Sequence, residues 1–338
     1  MYLSIIVPVY NTENYIGRCL KSIVSNKSDQ IEIIIVNDGS IDGSSAICQS
    51  YAKGDSRIID IYQSNQGESS ARNKALEIAK GEYVLFVDSD DYIDSSLIDE
   101  IIEIAKLQYY DVIRFGLNFI DENNQLIGVF KPEKTSTESC QALLWAISKP
   151  TRSDILRFGA YAVKSSVVRN NSIKFDEKIR YGEDQEFTHA ILAYSATCYT
   201  LEKAYYYYYQ HSESLMHTRS LKRLQYIAAI ERASRIPKIQ SCTTLKKNYE
   251  KKLLPYISIT LQCMLLMQGV TYSEIKKYKK ANNISDWKNY FDPIYDFYFI
   301  KFLLYRVFPI NFFKALKKDY IQLKKSVHLL FQRASRQA

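Results

Sequence analysis

Short apolar runs alternate with helical patterns along the first 106 residues, and this alternation restricts the possible folds more than any other feature. The runs are LSIIVPV, IEIIIVN, RIIDIYQ and YVLFV, and each is followed by a segment with helical character. A strand and a helix recur roughly every 25 residues, which is typical of βαβ units in a mainly parallel sheet. Near-continuous Ile and Val runs also suit strands that are covered on both faces. We therefore predict an α/β fold.

The rest of the chain divides into a mixed part and a helical part. Beyond Asp111 we predict helices at 137–148 and 183–195, and strands at 111–120, 125–130 and 158–163. The segment TCYTLEKAYYYYYQ is predicted to form two strands about a tight turn. From Leu221 onward the pattern is helical. We therefore expect an α/β domain over residues 1–218 and a helical region over 219–338.

Residues 253–273 carry no charge, and a stretch of this length is long enough to cross a bilayer. Pro255 and several polar side chains interrupt it, and it has no flanking belt of aromatic residues. A buried helix of a C-terminal bundle is therefore the favoured interpretation.

The positive charge of the chain is concentrated at its end. Residues 301–338 contain nine Lys and Arg and a single acid, Asp319, whereas the preceding residues are balanced. From Tyr295 the basic residues are mixed with many Phe, Leu and Tyr. This composition is typical of an interfacial helix on an anionic membrane, so we expect residues 295–338 to contact a membrane peripherally. Nucleic acid is disfavoured because large aliphatic side chains abound and no nucleic-acid motif appears. A basic helix packed on its own domain remains an alternative.

The cysteines and the N-terminus bear on the cellular compartment. Six cysteines are widely spaced without a CxxC pair, which disfavours a zinc site and a disulfide framework. Strand-like sequence starts at Leu3 with no basic segment before it, so we expect no signal peptide. Both features favour a reducing, cytosolic setting.

Three acids follow the fourth apolar run, in LFVDSDDYID. Carboxylates this close repel one another, and burying one without a partner costs several kcal/mol. A divalent cation site would explain Asp88, Asp90 and Asp91 together, because Mg²⁺ and Mn²⁺ take carboxylate and phosphate oxygens. Helix capping or turn formation would explain only one of the acids. We expect a bound cation and a diphosphate to offset the repulsion.

Polar residues also follow the second and third apolar runs. Asp38 stands at a strand end, where a carboxylate can accept from a ribose hydroxyl or a base N–H, although NDGS is also strong turn sequence. In NQGESSARNKAL, a helix start carrying Arg72 suits a diphosphate. An ordinary amphipathic helix with a solvated arginine is the competing interpretation. The carboxyl ends of parallel strands meet at one sheet edge, so these groups should lie together.

A further pair of acids lies in RYGEDQEF. Glu183 and Asp184 open a predicted helix, where acidic side chains are favoured by the helix dipole. A carboxylate at a helix start that faces a cleft is also suited to act as a general base.

Taken in order, IIVPVYN, VNDGSIDGS, GESSARNKAL, FVDSDDYI and GED resemble the family-2 inverting glycosyltransferases of the GT-A fold, a Rossmann-like nucleotide-diphospho-sugar transferase fold. The resemblance covers about residues 1–215 and is closest to bacterial enzymes of capsule, lipopolysaccharide and exopolysaccharide synthesis. It implies that nucleotide binding involves Pro8, Tyr10 and Asp38. It also implies that Arg72 lies near the donor.

The same resemblance assigns the acids. Asp88, with Ser89 beside it, would contact the donor, and Asp90 and Asp88 would hold Mn²⁺ or Mg²⁺, with Asp91 as a further candidate. Asp184, next to Glu183, would be the base that accepts the proton of an acceptor hydroxyl. No covalent intermediate is then needed, and the anomeric configuration inverts.

The resemblance also implies the partners of the enzyme. A UDP-sugar donor and a saccharide or polyprenyl-linked acceptor are expected, in the cytoplasm at the inner face of the plasma membrane. Relatives often carry an Arg-containing stretch after the GED helix, and here that stretch reads YYYYYQHSESLMHTR. His211, Ser214 and His217 are therefore weaker candidates for contacts with the diphosphate or the metal.

Two other classes of protein remain open. A metal-dependent phosphatase of the haloacid dehalogenase type also uses D-x-D, but it needs that pair on its first strand, whereas here it follows the fourth. A non-catalytic nucleotide-binding membrane scaffold is the other alternative. The presence of Asp38, Asp88, Asp90 and Asp184 together disfavours it.

Overall fold

A computed structural model describes residues 1–132, Leu144, 158–210 and 220–285. Within these residues one mixed sheet contains nine strands, in the order β3-β2-β1-β4-β8-β6-β9-β5, with β7 paired to β6. The strands are β1 (Leu3–Val9), β2 (Ile31–Asp38), β3 (Ile58–Gln63), β4 (Tyr83–Phe86), β5 (Tyr92–Ile93), β6 (Val112–Ile120), β7 (Leu126–Phe130), β8 (Tyr161–Lys164) and β9 (Cys198–Tyr209).

The four N-terminal strands form the parallel half of the sheet, as predicted. β1 pairs in parallel with both β2 and β4, and β2 pairs in parallel with β3. Alternate residues of each strand point to opposite faces. Both faces are buried in β1, β2 and β4, whereas β3, at the end of the strand order, is partly exposed. The helices that connect these strands, and the one that follows β4, are α1 (Ile16–Val24), α2 (Ser44–Gly54), α3 (Glu68–Ile78) and α4 (Ser96–Lys106).

Gly81 does not cap α3, contrary to what its position after the helix suggests. The helix ends at Ile78, and the C-cap residue is Ala79. A side chain at position 81 would overlap the backbone of Leu3 and Ser4. Gly81 is therefore required by the close approach of the chain to β1.

The second half of the sheet is mixed. β8 is antiparallel to both β4 and β6, whereas β9 runs parallel to β6. The expected pair of strands at 197–210 is wrong: β9 is a single strand whose register against β6 shifts around Gly116. This long strand reaches the acidic segment, because β5 pairs antiparallel with its C-terminal end. Local periodicity does not separate one irregular strand from a hairpin, so only the pairing partners reveal the difference.

The helices that follow β8 continue past the predicted domain boundary. They are α5 (Ser165–Asn170), α6 (Glu183–Tyr194), α7 (Gln225–Ser234), α8 (Pro237–Gln240), α9 (Thr243–Asn248), α10 (Leu254–Met267) and α11 (Tyr272–Ala281). A 3₁₀ turn at Leu221–Leu224 precedes α7, and a π-helical turn at Tyr249–Leu253 precedes α10. The helical pattern predicted from residue 221 is thus observed up to Ala281.

The C-terminal helices share a core with the sheet. Phe86 of β4 and Phe187 of α6 belong to the same buried cluster as Ile227 of α7 and Leu265 of α10. The link is also polar: Arg232 of α7 forms a bidentate ion pair with Glu186 of α6 at 2.7–3.1 Å. Helix α10 covers the middle of the uncharged segment, and no helix among the described residues is long and apolar enough to span a membrane.

Candidate active site

The loops after β1, β2 and β4 meet at the carboxyl edge of the parallel strands. The amide of Asn11 donates to Ser40 Oγ at 3.0 Å, and Thr12 Oγ1 donates to Ser89 Oγ at 3.1 Å. Tyr10 is 48% exposed at this edge, whereas Pro8 is buried in β1 beside Val36. Polar groups from three strand ends are thereby held together, as parallel strand geometry requires.

Asp38 fixes the loop that leads into α3. Its Oδ1 accepts from Gln63 Nε2 at 2.7 Å and from the Gln66 amide at 2.8 Å, and its Oδ2 accepts from the Gly67 amide at 2.8 Å. The carboxylate is 3% exposed. The structure therefore gives Asp38 a role as the anchor of a loop, and its predicted role in nucleotide binding stays a prediction.

The three clustered acids occupy different environments within one tight turn, in which the Asp91 amide donates to the Asp88 carbonyl at 3.0 Å. Asp91 is buried, and its two oxygens accept from the Tyr206 hydroxyl at 2.7 Å and from the Tyr209 amide at 2.8 Å. The backbone carbonyl of Asp90 accepts from Arg18 Nη2 at 3.0 Å. Both carboxylate oxygens of Asp91 are thus bonded to β9, which makes Asp91 a less suitable metal ligand than Asp88.

Arg72 lies at the centre of the acidic groups and is 3% exposed. Its Nη2 donates to Asp88 Oδ1 at 2.8 Å and also pairs with Glu68, while its Nη1 lies 3.8 Å from Glu183 Oε1. The guanidinium carbon lies 4.6 Å from the centroid of the Phe158 ring. The interpretation of Arg72 as a solvated residue of an amphipathic helix is therefore wrong: it is a buried cation that joins α3, the acidic turn and α6.

The GED segment forms a strained turn into α6. Gly182 adopts a left-handed conformation, with φ of +90°, and a side chain there would approach the backbone of Tyr226 to 2.9 Å. Only glycine suits this combination of backbone angle and close packing. The turn presents Asp184, which is partly exposed and bonded through Oδ1 to the Gln185 amide at 2.7 Å.

The two acids of this turn differ in burial: Glu183 is buried, whereas Asp184 is partly exposed. Burial affects the first of them strongly. Burial raises the pKa of Glu183 to about 8, and the nearby Asp184 charge adds to this rise, whereas Arg72 opposes the shift. Oε2 of Glu183 is buried without a hydrogen-bond partner, which favours the neutral acid at neutral pH. Burial also raises the pKa of Asp88, and Arg72 again opposes the shift.

A cavity of about 580 Å³ opens among these groups, a size typical of small-molecule sites. Five of the predicted site residues line it, namely Arg72, Asp88, Asp91, Glu183 and Asp184. Pro8, Tyr10, Asp38, Ser89 and Asp90 are not among the lining residues, and His211, Ser214 and His217 fall outside the described residues.

Sequence reasoning missed several lining residues. They are Glu68, Phe158, Tyr181, Arg223, Tyr226 and side chains of α10. Glu68 belongs to the GESSAR segment and lies one helical turn before Arg72, so an i,i+4 acid–base pair was readable there. The others come from distant segments, and no local pattern marks them.

The acidic turn suits a hard cation in its chemistry but does not supply a complete cage. Among the described residues, no group of three or more His, Cys, Asp or Glu side chains is arranged to hold a metal. Asp88 keeps one oxygen outside its pair with Arg72, because only Oδ1 takes part in that pair. Asp88 thus offers an oxygen to a cation that takes its other ligands from phosphate and water, as Mg²⁺ commonly does, and Asp90 belongs to the same turn.

Parallel strands, an acidic turn after β4 and a carboxylate at the start of α6 define the class of the fold as GT-A. Solved structures agree. The chain matches "Crystal structure of S. aureus TarS 1-349 in complex with UDP-GlcNAc" with a TM-score of 0.60 at 23% identity, covering 77% of this chain and 72% of that one. It also matches the mannosyltransferase PcManGT from Pyrobaculum calidifontis in complex with GDP-Man and Mn²⁺, with a TM-score of 0.51 at 16% identity, over 85% and 84% of the two chains.

Residues 4–147 match the family described as Glycosyl transferase family 2. The resemblance predicted from the motifs is thereby confirmed. "Uncharacterized glycosyltransferase EpsJ" of Bacillus subtilis (strain 168) is 31% identical over 63% of this chain and 62% of its own length. The poly(ribitol-phosphate) beta-glucosyltransferase of Bacillus spizizenii is 32% identical over 61% of this chain and 32% of its own. The chain thus spans less than two thirds of the length of these relatives.

Proposed function

We propose that this protein is an inverting glycosyltransferase that moves a sugar from a nucleoside diphosphate to an acceptor hydroxyl. One observation carries the proposal: Asp184 lies on the wall of the same cavity as Asp88 and its partner Arg72. The shared cavity supports this proposal, because its volume of about 580 Å³ has room for a sugar beside both the proposed base and the proposed site of the leaving group.

Asp184 is the proposed general base. It accepts the proton of the acceptor hydroxyl as that oxygen attacks the anomeric carbon, and the nucleoside diphosphate leaves from the opposite face. Glu183 is the less suitable base because its buried carboxyl holds a proton near neutral pH and faces Arg72. Glu183 instead orients Arg72 and the turn that carries Asp184.

The donor site is proposed at the carboxyl edge of the parallel strands. Pro8, Tyr10, Asp38 and Ser89 would surround the nucleoside, and Arg72 would act close to the diphosphate. A UDP-sugar is the proposed donor because a solved structure with the same fold is a complex with UDP-GlcNAc. The proposed cofactor is Mn²⁺ or Mg²⁺ on Asp90 and Asp88, where a bound cation would neutralise charge on the leaving diphosphate.

The proposed acceptor is a saccharide of a bacterial surface polysaccharide, free or polyprenyl-linked. One relative is named for poly(ribitol-phosphate), which supports a polymeric surface acceptor.

We place the reaction in the cytoplasm at the inner face of the membrane, with residues 295–338 as the peripheral contact. The free cysteines among the described residues, namely Cys19, Cys48, Cys198 and Cys242, suit a reducing compartment. The division into a catalytic domain, 1–218, and a helical region, 219–338, remains part of the proposal.

Donor turnover tests the proposal. With Mn²⁺ present, we expect the protein to hydrolyse or transfer at least one sugar from a panel of UDP- and GDP-sugars. Asp184→Asn should lower turnover by roughly 10²–10⁴-fold while the affinity for UDP stays unchanged. A protein that turns over no nucleotide-sugar, and in which Asp184→Asn changes nothing, would instead be a nucleotide-binding scaffold. Release of phosphate from a phosphomonoester would indicate a phosphatase.

A further inference from the structure

The cavity has a second wall that the proposed base and donor groups do not use. It is built from the C-terminal helical region: Arg223 from the 3₁₀ turn, Tyr226 from the start of α7, and Tyr256, Ile257, Thr260, Leu261 and Met264 from α10. This wall is mainly apolar, with a single cation at its edge. The Oγ1 atom of Thr260 is buried there without a hydrogen-bond partner.

Arg223 is a buried cation whose side chain has no partner among the residues that the structure describes. Only 5% of the residue is exposed, and no hydrogen bond, ion pair or ring contact of its side chain exists among the described residues. Its backbone is bonded within the turn: the amide donates to the Ser220 carbonyl, and the carbonyl accepts from the Gln225 amide. Arg72, equally buried, pairs with Asp88 and Glu68 in the same cavity. A guanidinium that lines a cavity and has no partner among the described residues is suited to bind an anion from outside the chain.

Arg223 is held close to the proposed base. The residue that follows its turn, Gln225, accepts through Oε1 from the Arg180 amide at 3.1 Å. Tyr226 packs against Gly182, the residue that begins the Glu183–Asp184 turn. A ligand that fills the cavity therefore meets Asp184, the Arg223 side chain and residues of α10 together.

We propose that Arg223 binds a phosphate or carboxylate group of the acceptor, and hence that the acceptor is anionic. This inference rests on the proposed function, because it names the substrate class of the same cavity. The donor diphosphate is the less suitable partner, since Arg72, which pairs with Asp88 of the acidic turn, is the cation proposed to act beside it. The planar guanidinium matches both phosphate and carboxylate by paired hydrogen bonds.

The test uses the full chain with UDP and Mg²⁺, and repeats each titration without UDP. Glucose 6-phosphate, glucuronate and methyl glucoside are titrated by calorimetry, so that a phosphate, a carboxylate and a neutral sugar are compared. The wild type should bind at least one anionic sugar about tenfold more tightly than methyl glucoside. Arg223→Met should remove this preference, and Arg223→Lys should retain part of it. Lys222→Met, which removes an exposed cation from the same turn, is the matched control.

The melting temperature provides a second readout. Because the Arg223 side chain has no partner to lose among the described residues, Arg223→Met should leave the melting temperature of the ligand-free protein unchanged or raise it. A fall of more than about 3 °C would indicate a structural role and overturn the proposal. It is also overturned if the wild type shows no preference for anionic sugars, or if Arg223→Met weakens UDP binding and leaves sugar binding intact. Failure to bind UDP, with anionic sugars still bound through Arg223, would count against the proposed donor site alone.

Discussion

The hydroxyl of Tyr206 donates to Oδ2 of Asp91 at 2.7 Å, across 115 positions of sequence. The same hydroxyl accepts from the Asp88 amide at 3.1 Å. One phenol group on β9 therefore holds both ends of the acidic turn after β4. The turn is shaped by the protein itself, with Arg72 on one side and β9 on the other.

Tyr206→Phe should loosen this turn. The substitution leaves the Asp88 amide and one Asp91 oxygen without their partner, so we expect a loss of about 1–3 kcal/mol in the free energy of unfolding. Chemical denaturation measures the loss, and UDP affinity should fall with it. The control is Tyr207→Phe, because Tyr207 stacks on Tyr92 at 4.5 Å through its ring. Equal stability of the two variants would show that the Tyr206 hydroxyl does not hold the turn.

Arg72→Ala should be strongly destabilising. It would leave Asp88, Glu68 and Glu183 close together with no compensating cation, and breaking a buried pair in this way costs about 3–5 kcal/mol. Thermal unfolding at neutral pH measures the effect. Lys74→Ala, two positions along the same helix, should change stability by less than about 0.5 kcal/mol. A small effect for Arg72→Ala would mean that water or a rearranged side chain replaces the guanidinium.

Glu183→Gln should change how stability depends on pH. The pKa of Glu183 is about 8 in the folded protein, above its ordinary value, so the folded state binds the extra proton. Folding stability from this group is therefore present at low pH and is lost as pH rises toward 8. We expect the melting temperature of the wild type to fall about 2–5 °C further between pH 5 and pH 9 than that of the variant.

Parallel pH profiles for the wild type and Glu183→Gln would contradict this assignment. Asp184→Asn provides the comparison: it removes the charge that adds to the raised pKa of Glu183, so the pH effect should shrink but persist, because burial is the larger cause. If the pH effect disappears in Asp184→Asn and persists in Glu183→Gln, the assignment of the extra proton to Glu183 is wrong.

Asp90→Asn should weaken metal binding without changing the stability of the fold. If Asp90 and Asp88 hold the cation, Mn²⁺ should raise the affinity for UDP in the wild type, and chelation should remove the increase. The variant should lose this metal-dependent increase, about tenfold or more, with an unchanged melting temperature. Asp29→Asn, at an exposed acid far along the chain, controls for the loss of one charge. An undiminished effect of Mn²⁺ in Asp90→Asn would exclude Asp90 as a ligand.

Much of the parallel half of the fold was predictable from local sequence. Each apolar run is followed by a helical segment, and a strand–helix–strand unit closes in only one common way. The acids after YVLFV were therefore expected at the same edge as the residues after IEIIIVN, and the structure places them there. The single long β9 was not predictable, because its register shift depends on pairing with β6.

The roles of individual site residues were less predictable than their location. The crowded acids suggested that a bound cation offsets their mutual repulsion. In the structure, Arg72, the Tyr206 hydroxyl and the Tyr209 amide already stabilise part of this charge. Arg72 itself looked equally consistent with a solvated helix face. Its burial depends on Phe158, which lies far away in sequence and under the guanidinium in space.

The sequence alone determined that strands and helices alternate, and that carboxylates end the strands whose carboxyl ends share an edge. Tertiary structure decided which acids the fold uses and which ones face the cavity. All three of the following acids line the cavity, but Asp91 is tied to β9, Glu183 is buried against Arg72, and Asp184 remains partly exposed. The physical reason is that the charge and hydrogen bonding of a buried carboxyl depend on its neighbours in space. Those neighbours come from segments that no local pattern connects.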